Sequence, residues 1–336
     1  MRKRLLILCA VVPVVVAMIA GVSASAAPAG ATPTVTAHWV TGLASGSGST
    51  VGPDGALYIP EPSSGKVYRV DPGTGTRTEV AHCLPPQVIP LGGAMDVAFI
   101  GNTLYALVSI VSDPFPPVGT HATHNGIYRV DSAGSCTIVA DIGAFALANK
   151  PDADIFLFAG VQYAMEPYRG GFLVTDGHHN RVYRVTLGGE VSEFITFGDV
   201  VPTGLAVQGD TIYMGEAGPI LGDGSEIGKV ISIDASSGAV TDVAGPAPLV
   251  VDVERGRGQT LFALAQGAHT SPDPGSPAEP NTGELLRADG NGGFSVVATG
   301  LDRPTSLEII GTTAYVVTLG GEIWKIDDSS GPPYGR

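Results

Sequence analysis

The sequence Lys66-Val67-Tyr68-Arg69-Val70-Asp71 recurs, with variations, six times along the 336-residue chain. The other copies occupy residues 126–131, 181–186, 229–234, 284–289 and 322–327, so that successive copies start 60, 55, 48, 55 and 38 residues apart. A repeat of this length, made of short alternating segments, is typical of propellers, because a small sheet cannot bury its faces alone. The sequence therefore predicts an all-β, six-bladed propeller. A flat β-sandwich is the alternative fold, but it would not explain six equal units.

Each unit reads as four strands, and the recurring phrase is the third. Turn residues such as Gly52-Pro53-Asp54-Gly55 separate the first strand from the second. The sixth unit has no fourth strand after Asp327, and residues 35–40 near the N-terminus can supply it. Such pairing closes the ring and removes two open sheet edges. We therefore expect the propeller to span residues 35–327, with one short helical turn at 144–149 that Pro151 stops.

The first residues are typical of an export signal. Arg2, Lys3 and Arg4 precede an apolar run at 5–20, and Ala24 and Ala26 have the spacing of a cleavage site. We expect a signal peptide at 1–26, a flexible segment at 27–34, a disordered tail at 328–336, and a secreted, extracellular protein without a transmembrane segment. An uncleaved N-terminal anchor is the alternative.

The charge balance excludes one class of partner. The chain has 32 acidic and 18 basic residues, a formal net charge of −14. Such a surface repels phosphate backbones, so we expect no nucleic-acid partner, and we expect a monomer. Two of the three cysteines, Cys83 and Cys136, lie outside the signal peptide, and export would permit a disulfide. The sequence leaves open whether they are bridged or free.

Long connections are predicted on one face of the ring. The connections between the second and third strands at 109–125, 217–227 and 266–282 are long, whereas the other turns within blades are short. Insertions on one face of a repeat protein often mark its binding face. We therefore expect a small molecule, glycan or protein to bind there.

A dense polar cluster, Asp176-Gly177-His178-His179-Asn180, lies on this predicted face. Imidazoles beside a carboxylate and an amide suit ligand binding or proton transfer. The candidate ligand-binding residues are Asp176, His178, His179, Asn180, Glu216 and Gln266. The alternative is architectural, because Asp and Asn brace turns and Glu61 and Glu216 occupy the position of Asp176 in other blades.

Acids also recur on the predicted innermost strands. Ala94-Met95-Asp96 matches Ala164-Met165-Glu166, and Asp252 has a comparable place in the fifth blade. Converging carboxylates repel one another unless they are protonated or bridged by a cation. We therefore take Asp96, Glu166 and Asp252 as candidate ligands of a divalent cation, Ca²⁺. The alternative is a set of solvated acids around a water-filled channel.

The sequence GGFLVTDGHHNRV at 170–182, with the segments at 161–167 and 201–207, resembles the secreted bacterial propeller family named after the ScyD and ScyE proteins of scytonemin pigment clusters. The similarity runs from about residue 38 to 327. More distantly, the blades are similar to those of NHL-repeat and gluconolactonase-like propellers. The latter resemblance implies a channel metal held by acids and amides, although this chain has no clear copy of that ligand set.

Two functions follow from these patterns. The first is a secreted binding module without turnover. The second is a metal-assisted hydrolase or lyase, in which the channel acids hold the cation and His178 or His179 moves protons. The sequence has no G-x-S-x-G, H-E-x-x-H, Walker A or C-x-x-C motif, which favours the first function without deciding whether the protein is an enzyme.

Overall fold

The computed structural model describes residues 33–111, 125–152, 155–218, 227–271 and 275–330. The predicted signal peptide at 1–26, most of the predicted flexible segment, and much of two long connections therefore lie outside the described residues. The described chain forms six four-stranded antiparallel sheets that contact one another in chain order around a ring. Within these ranges, no helix has the length and apolar character needed to cross a membrane.

The first three blades each run from an innermost strand at the centre of the ring to an outermost strand. The first blade contains β2 (Thr50–Val51), β3 (Leu57–Glu61), β4 (Lys66–Val70) and β5 (Arg77–Ala81). The second contains β6 (Gly93–Ile100), β7 (Thr103–Ser109), β8 (Gly126–Ser132) and β9 (Ser135–Asp141). The third contains β10 (Gln162–Tyr168), β11 (Gly171–Asp176), β12 (Arg181–Thr186) and β13 (Val191–Thr196).

The remaining blades follow the same pattern. The fourth contains β14 (Pro202–Gln208), β15 (Thr211–Glu216), β16 (Ile227–Asp234) and β17 (Val240–Pro248). The fifth contains β18 (Val250–Arg255), β19 (Leu261–Ala265), β20 (Gly283–Ala288) and β21 (Phe294–Leu301). The sixth contains β22 (Pro304–Ile310), β23 (Thr313–Thr318), β24 (Ile323–Asp327) and, as its outermost strand, β1 (Thr34–Val40).

The predicted six-bladed, all-β propeller is confirmed, and every copy of the recurring phrase forms a third strand. The predicted helical turn is the helix α1 (Ile142–Ala148), which begins where the Asp141 side chain accepts a hydrogen bond from the Ala144 N–H at 2.8 Å. A 3₁₀ turn spans Arg257–Gln259. The sandwich alternative is excluded because the sheets form a ring.

Ring closure by the N-terminal strand is also confirmed. Strand β1 runs antiparallel to β24, with Thr34 opposite Asp327 and Val40 opposite Ile323. The Trp39 ring packs against Tyr315 with centroids 5.4 Å apart. The first strand therefore contributes both backbone pairing and apolar contact to the sixth blade.

The hydrophobic core lies between the blades. In one of its clusters, Leu107 and Ile127 of the second blade pack with Phe172 and Tyr183 of the third, and all four side chains are almost fully buried. Both faces of a blade are covered in this way, because each sheet packs on its two neighbours. The apolar alternation within each strand thus fixes the stacking of the ring.

Cys83 and Cys136 form a disulfide, with their Cα atoms 5.5 Å apart. The bridge joins the segment after β5 to the outermost strand of the next blade. Its partners are 53 residues apart, so it closes a loop that roughly spans one blade. The chain-entropy description assigns a loop of this length roughly 4 kcal/mol of stabilisation. The bridge thus resolves the choice that the sequence left open.

The packed chain extends beyond the predicted end of the propeller. We expected a disordered tail from residue 328, but Ser329 and Ser330 are buried. The Ser329 hydroxyl donates to the Thr312 carbonyl at 3.0 Å, and the Ser330 hydroxyl accepts from the Arg257 N–H at 2.9 Å. These bonds to turns of two blades hold the segment in place. At the other end, Thr34 of the predicted flexible segment already belongs to β1.

Candidate functional site

Tyr163 crosses the centre of the ring. It lies on the innermost strand of the third blade, and its hydroxyl donates to the Thr305 carbonyl of the sixth blade at 3.1 Å. The third and sixth blades stand opposite each other in a ring of six. The side chain lines two separate spaces, which we call the loop-face cavity and the acidic channel. Tyr163 is therefore the floor of the first and the roof of the second.

The loop-face cavity has a volume of about 250 Å³. It lies among the connections between blades and those between second and third strands. Its apolar lining comes mainly from Leu91, Phe156, Leu157, Val201, Leu249 and Val251. None of its described lining residues is Asp, Glu, Lys or Arg. This composition suits a molecule that is mostly apolar and uncharged.

Asp176 braces the polar cluster beside this cavity. Its carboxylate accepts from the backbone N–H groups of Val161 at 2.9 Å, His178 at 3.2 Å and His179 at 3.0 Å, and from the side chains of Gln162 at 3.1 Å and Tyr183 at 2.8 Å. The residue is fully buried. Its oxygens are thus occupied by the protein, which is the architectural role that the sequence left open as an alternative.

His178 lines the cavity and has a fixed tautomer. Its Nε2 accepts from the backbone N–H groups of Phe156 and Leu157, both at 3.0 Å. An imidazole nitrogen that accepts carries no proton, so the proton of the neutral ring is on Nδ1. Burial and the nearby His179 lower the pKa of His178 to about 4. No described residue bonds to Nδ1, and this atom still reaches solvent, although the side chain as a whole is only 6 % exposed.

His179 has the opposite tautomer and does not line the cavity. Its Nε2 donates to the Leu157 carbonyl at 3.2 Å, and its Nδ1 accepts from Arg181 Nη2 at 3.0 Å. Burial lowers its pKa as well. Asn180 has a φ of 53°, and its carbonyl accepts from the Phe197 N–H at 2.8 Å. Asn tolerates this left-handed conformation, so the residue shapes the turn.

The other two predicted ligand-binding residues have different positions. Glu216 is buried beneath Lys229, 3.8 Å away, outside the cavity lining, and burial raises its pKa. Gln266 lines the cavity. Its Oε1 accepts from the Ala278 N–H at 2.9 Å, and its Nε2 donates to the Pro304 carbonyl at 3.5 Å. Of the six predicted residues, the cavity therefore brings together His178 and Gln266.

Below Tyr163, Asp96 and Asp252 connect neighbouring blades. Asp96 accepts from its own neighbour, the Val97 N–H, at 2.8 Å and from the Met165 N–H of the third blade at 2.7 Å. Asp252 accepts in the same way from the N–H groups of Val253 at 2.8 Å and Leu307 at 2.7 Å. The two aspartates occupy equivalent places in opposite blades. The sequence match of Asp96 with Glu166 is therefore wrong in register.

Each of these aspartates lies against a glycine of the preceding blade. A Cβ added to Gly48 would lie 2.1 Å from Asp96 Oδ1, and one added to Gly204 would lie 2.0 Å from Asp252 Oδ1. Such distances are impossible for a real side chain. Each aspartate therefore contacts three consecutive blades, and glycine is required at the first of them.

Glu166, Glu254 and Glu308 form a second layer of acids in the channel. Burial, reinforced by repulsion among the acids, raises the pKa of Glu254 to about 8 and those of Glu166 and Glu308 well above the usual range. Burial likewise raises the pKa of Asp96 well above its usual range and that of Asp252 to about 7. The channel has a volume of about 40 Å³, which is room for a few water molecules.

Sequence reasoning missed Tyr163, Glu254 and Glu308. Glu254 follows Asp252 by two residues, and alternate residues of a strand face the same side, so this spacing could have indicated it. The same spacing relates Ser306 to Glu308. Tyr163 could have been noticed as an aromatic residue at the position where the fourth and sixth blades have Thr203 and Thr305.

The three predicted cation ligands, Asp96, Glu166 and Asp252, all line the channel. In the part of the chain that the structure describes, no three His, Cys, Asp or Glu side chains are arranged so that they could hold a metal ion. Both aspartates direct their oxygens to backbone N–H groups instead. Calcium binding at these residues stays a prediction.

The fold resembles those of solved propellers. No family model matches the chain, and no curated protein sequence matches it. A gluconolactonase from Xanthomonas campestris has a TM-score of 0.58 and 12% identity over 89% of each chain. The PQQ-bound aldose sugar dehydrogenase from Streptomyces coelicolor has a TM-score of 0.56 and 16% identity, covering 89% of this chain and 99% of that one.

A third neighbour is an inactive virginiamycin B lyase from Staphylococcus aureus, solved with quinupristin. Its TM-score is 0.54 and its identity 13%, covering 88% of this chain and 99% of that one. Identities this low show the fold alone. They support a distant relation to propeller proteins, whereas the resemblance to the ScyD and ScyE family stays a prediction.

Proposed function

We propose that the protein is a binding propeller that holds a small, mostly apolar molecule in its loop-face cavity. The observation that carries this proposal is the cavity of about 250 Å³, closed below by Tyr163 and lined mainly by apolar side chains. Ligand sites are usually concave and apolar, with few polar groups to orient the ligand. In this cavity His178 and Gln266 are such groups.

The lining favours a small molecule over a glycan or a protein. A glycan presents many hydroxyls, and their burial without partners is costly. The polar side chains of the cavity are largely engaged with the protein itself, as Gln266 and Thr203 show, the latter by donating to the Val250 carbonyl at 2.9 Å. A protein partner is recognised over a broad surface rather than in a cavity of this size.

The position of Tyr163 favours binding over metal-assisted hydrolysis. The channel acids lie on one side of its ring and the cavity on the other. An ion held by those acids would not reach a molecule in the cavity. Neither His178 nor His179 lines the channel, so neither is placed to move protons for a channel-bound ion.

The disulfide supports the secreted location predicted from residues 1–26. Cys83 and Cys136 are bridged. Disulfides persist mainly in oxidising compartments such as the space outside the cell. The proposed binding function would therefore operate on molecules outside the cytoplasm.

Titration with prodan, a solvent-sensitive fluorescent naphthalene that carries one ketone, tests the proposal. We expect its emission to shift to the blue with the mature protein. Val201→Phe extends a lining side chain into the cavity and should weaken prodan binding at least about tenfold. Val240→Phe is the matched control, because Val240 is exposed on the outermost strand of the fourth blade. Equal affinities of the wild type and Val201→Phe, or no prodan binding at all, would contradict the proposal.

A further inference from the structure

Among the described polar groups of the cavity, the Nδ1–H of His178 is a donor without a partner. The Tyr163 hydroxyl donates to the Thr305 carbonyl, and the Thr203 hydroxyl donates to the Val250 carbonyl. Gln266 uses both ends of its amide. His178 accepts from two backbone N–H groups at Nε2, and its Nδ1–H remains available to a ligand.

We propose that His178 selects, among neutral apolar molecules, those that carry a hydrogen-bond acceptor such as a ketone, ester or amide carbonyl. This inference rests on the proposed function and specifies its ligand class. The ligand would place its apolar body over Tyr163 and its acceptor against His178 Nδ1.

The donor role of Nδ1 is fixed by the protein. Moving the proton to Nε2 would bring an N–H against the N–H groups of Phe156 and Leu157, and turning the ring would replace their acceptor by the Cε1–H group. Two donors facing each other lose both hydrogen bonds, so the other tautomer is strongly disfavoured. His178 Nδ1 can therefore donate to an acceptor of the ligand, but it cannot accept from a donor.

The surroundings of His178 favour a neutral ligand. No charged side chain is among the described lining residues, and the formal net charge of −14 repels anions. The ring itself stays neutral at ordinary pH, since burial lowers its pKa to about 4. A carboxylate ligand would find no positive partner, whereas a carbonyl would accept from the N–H of His178.

A hydrogen-bond acceptor in this position should increase the affinity of a ligand strongly. A hydrocarbon in the cavity would cover the N–H without giving it a partner, and sites built to hydrogen-bond a ligand discriminate against analogues that lack the group. We expect a discrimination of roughly tenfold, which corresponds to about 1.4 kcal/mol.

A matched pair of ligands measures this discrimination. Methyl naphthyl ketone and isopropenylnaphthalene have the same shape, with C=O in one where the other has C=CH₂. Each displaces prodan from the mature protein in competition titrations. The ratio of their dissociation constants is compared between the wild type and variants, so the different hydrophobicity of the two ligands cancels.

Two variants separate the donor from the support that His178 gives to the loop. His178→Phe and His178→Asn both remove the acceptor of the Phe156 and Leu157 N–H groups, but Asn can place an amide N–H near the position of Nδ1. We expect His178→Phe to shift the ratio by roughly tenfold toward the alkene and His178→Asn to stay near the wild type. Should these variants fold poorly, the ¹⁵N shift of His178 Nδ1 in the wild type should respond to the ketone and not to the alkene.

The outcomes distinguish the two proposals. If both ligands displace prodan but the ratio is the same in the wild type and His178→Phe, or Nδ1 does not respond to the ketone, the selection by His178 is wrong and the binding cavity stands. If prodan binds but neither ligand displaces it from the wild type, the ligand class assigned to His178 is wrong and the binding cavity stands. If prodan itself does not bind, both proposals are overturned.

Discussion

The loop-face cavity and the acidic channel lie on opposite sides of one tyrosine ring, yet their chemistry is opposite. The cavity has an apolar lining without a charged side chain among its described residues, and His178 offers it one open donor. The channel holds five carboxyl groups in room for a few waters. Burial keeps ligand binding favourable in the first and makes ionisation unfavourable in the second. In our proposal the cavity serves ligand recognition, whereas the channel acids serve the stability of the ring, at different depths of the same innermost strands.

The largest expected effect is on the aspartates that connect the blades. Asp96→Ala or Asp252→Ala removes the acceptor of two buried backbone N–H groups. We expect each variant to lower the free energy of unfolding by about 3 kcal/mol, measured in urea, because unsatisfied buried donors are costly. Prodan binding by the folded variants should be unchanged.

The asparagine variants are the controls for the aspartates. Asp96→Asn keeps one oxygen, which can still accept from the Met165 N–H, so it should lose about 1 kcal/mol or less. Full stability of Asp96→Ala would show that this acid does not connect the blades. A large loss of prodan affinity in a folded variant would break the separation between channel and cavity.

A smaller effect is expected from pH. The folded pKa values of Asp252 and Glu254, about 7 and about 8, lie above those of an unfolded chain. The folded protein therefore holds protons that the unfolded chain has released, and stability falls as pH rises through these values. Where the folded state holds a proton that the unfolded chain has released, each group contributes up to about 1.4 kcal/mol per pH unit, so the melting temperature should fall by several degrees between about pH 6 and 8.

The same pH series compares the two regions. The pKa of about 4 keeps the His178 ring neutral throughout this range, so prodan affinity should not follow the loss of stability. The predicted Ca²⁺ site is tested in parallel. A cation held by Asp96, Glu166 and Asp252 would raise the melting temperature at alkaline pH, and EDTA would lower it. No response to either would contradict the calcium prediction, and a constant melting temperature would contradict the raised pKa values.

The smallest effect concerns the ring that divides the two regions. Tyr163→Phe removes the bond to the Thr305 carbonyl but keeps the ring that separates cavity from channel. We expect a loss of about 1 kcal/mol in the free energy of unfolding, with unchanged prodan affinity. If prodan binding were lost instead, the hydroxyl rather than the ring would define the floor of the cavity.

The fold could be predicted from the sequence because each copy of a repeat marks the same strand of a blade. The six copies of the phrase and the missing last strand specified the ring and its closure. The register of the inner strands was harder, because the Ala-Met pairs that precede Asp96 and Glu166 suggested a match that is two residues out of register. The same irregularity in strand pairing occurs in both blades, between Ala94 and Asp96 and between Gln162 and Met165, so it gives no local sign of the difference.

The candidate site was only partly accessible for a different reason. Asp176, His178 and His179 are adjacent in sequence, yet their roles depend on partners far along the chain, such as Phe156, Leu157 and Arg181. Residue type alone does not show whether the polar atoms of a side chain already have hydrogen-bond partners within the protein or are available to a ligand. The structure separates the two histidines because it shows which nitrogen of each ring is occupied.

Closure of the ring by its two ends also makes the fold sensitive to chain length. Thr34 pairs with Asp327, 293 residues further on, so the first strand has no partner until Asp327 has been synthesised. A copy that stops before β24 leaves β1 without its partner and the sixth blade incomplete. Pairing of β1 with β24 thus serves as a check that all six blades are present, since β24 must be made before the sheets have no open edge.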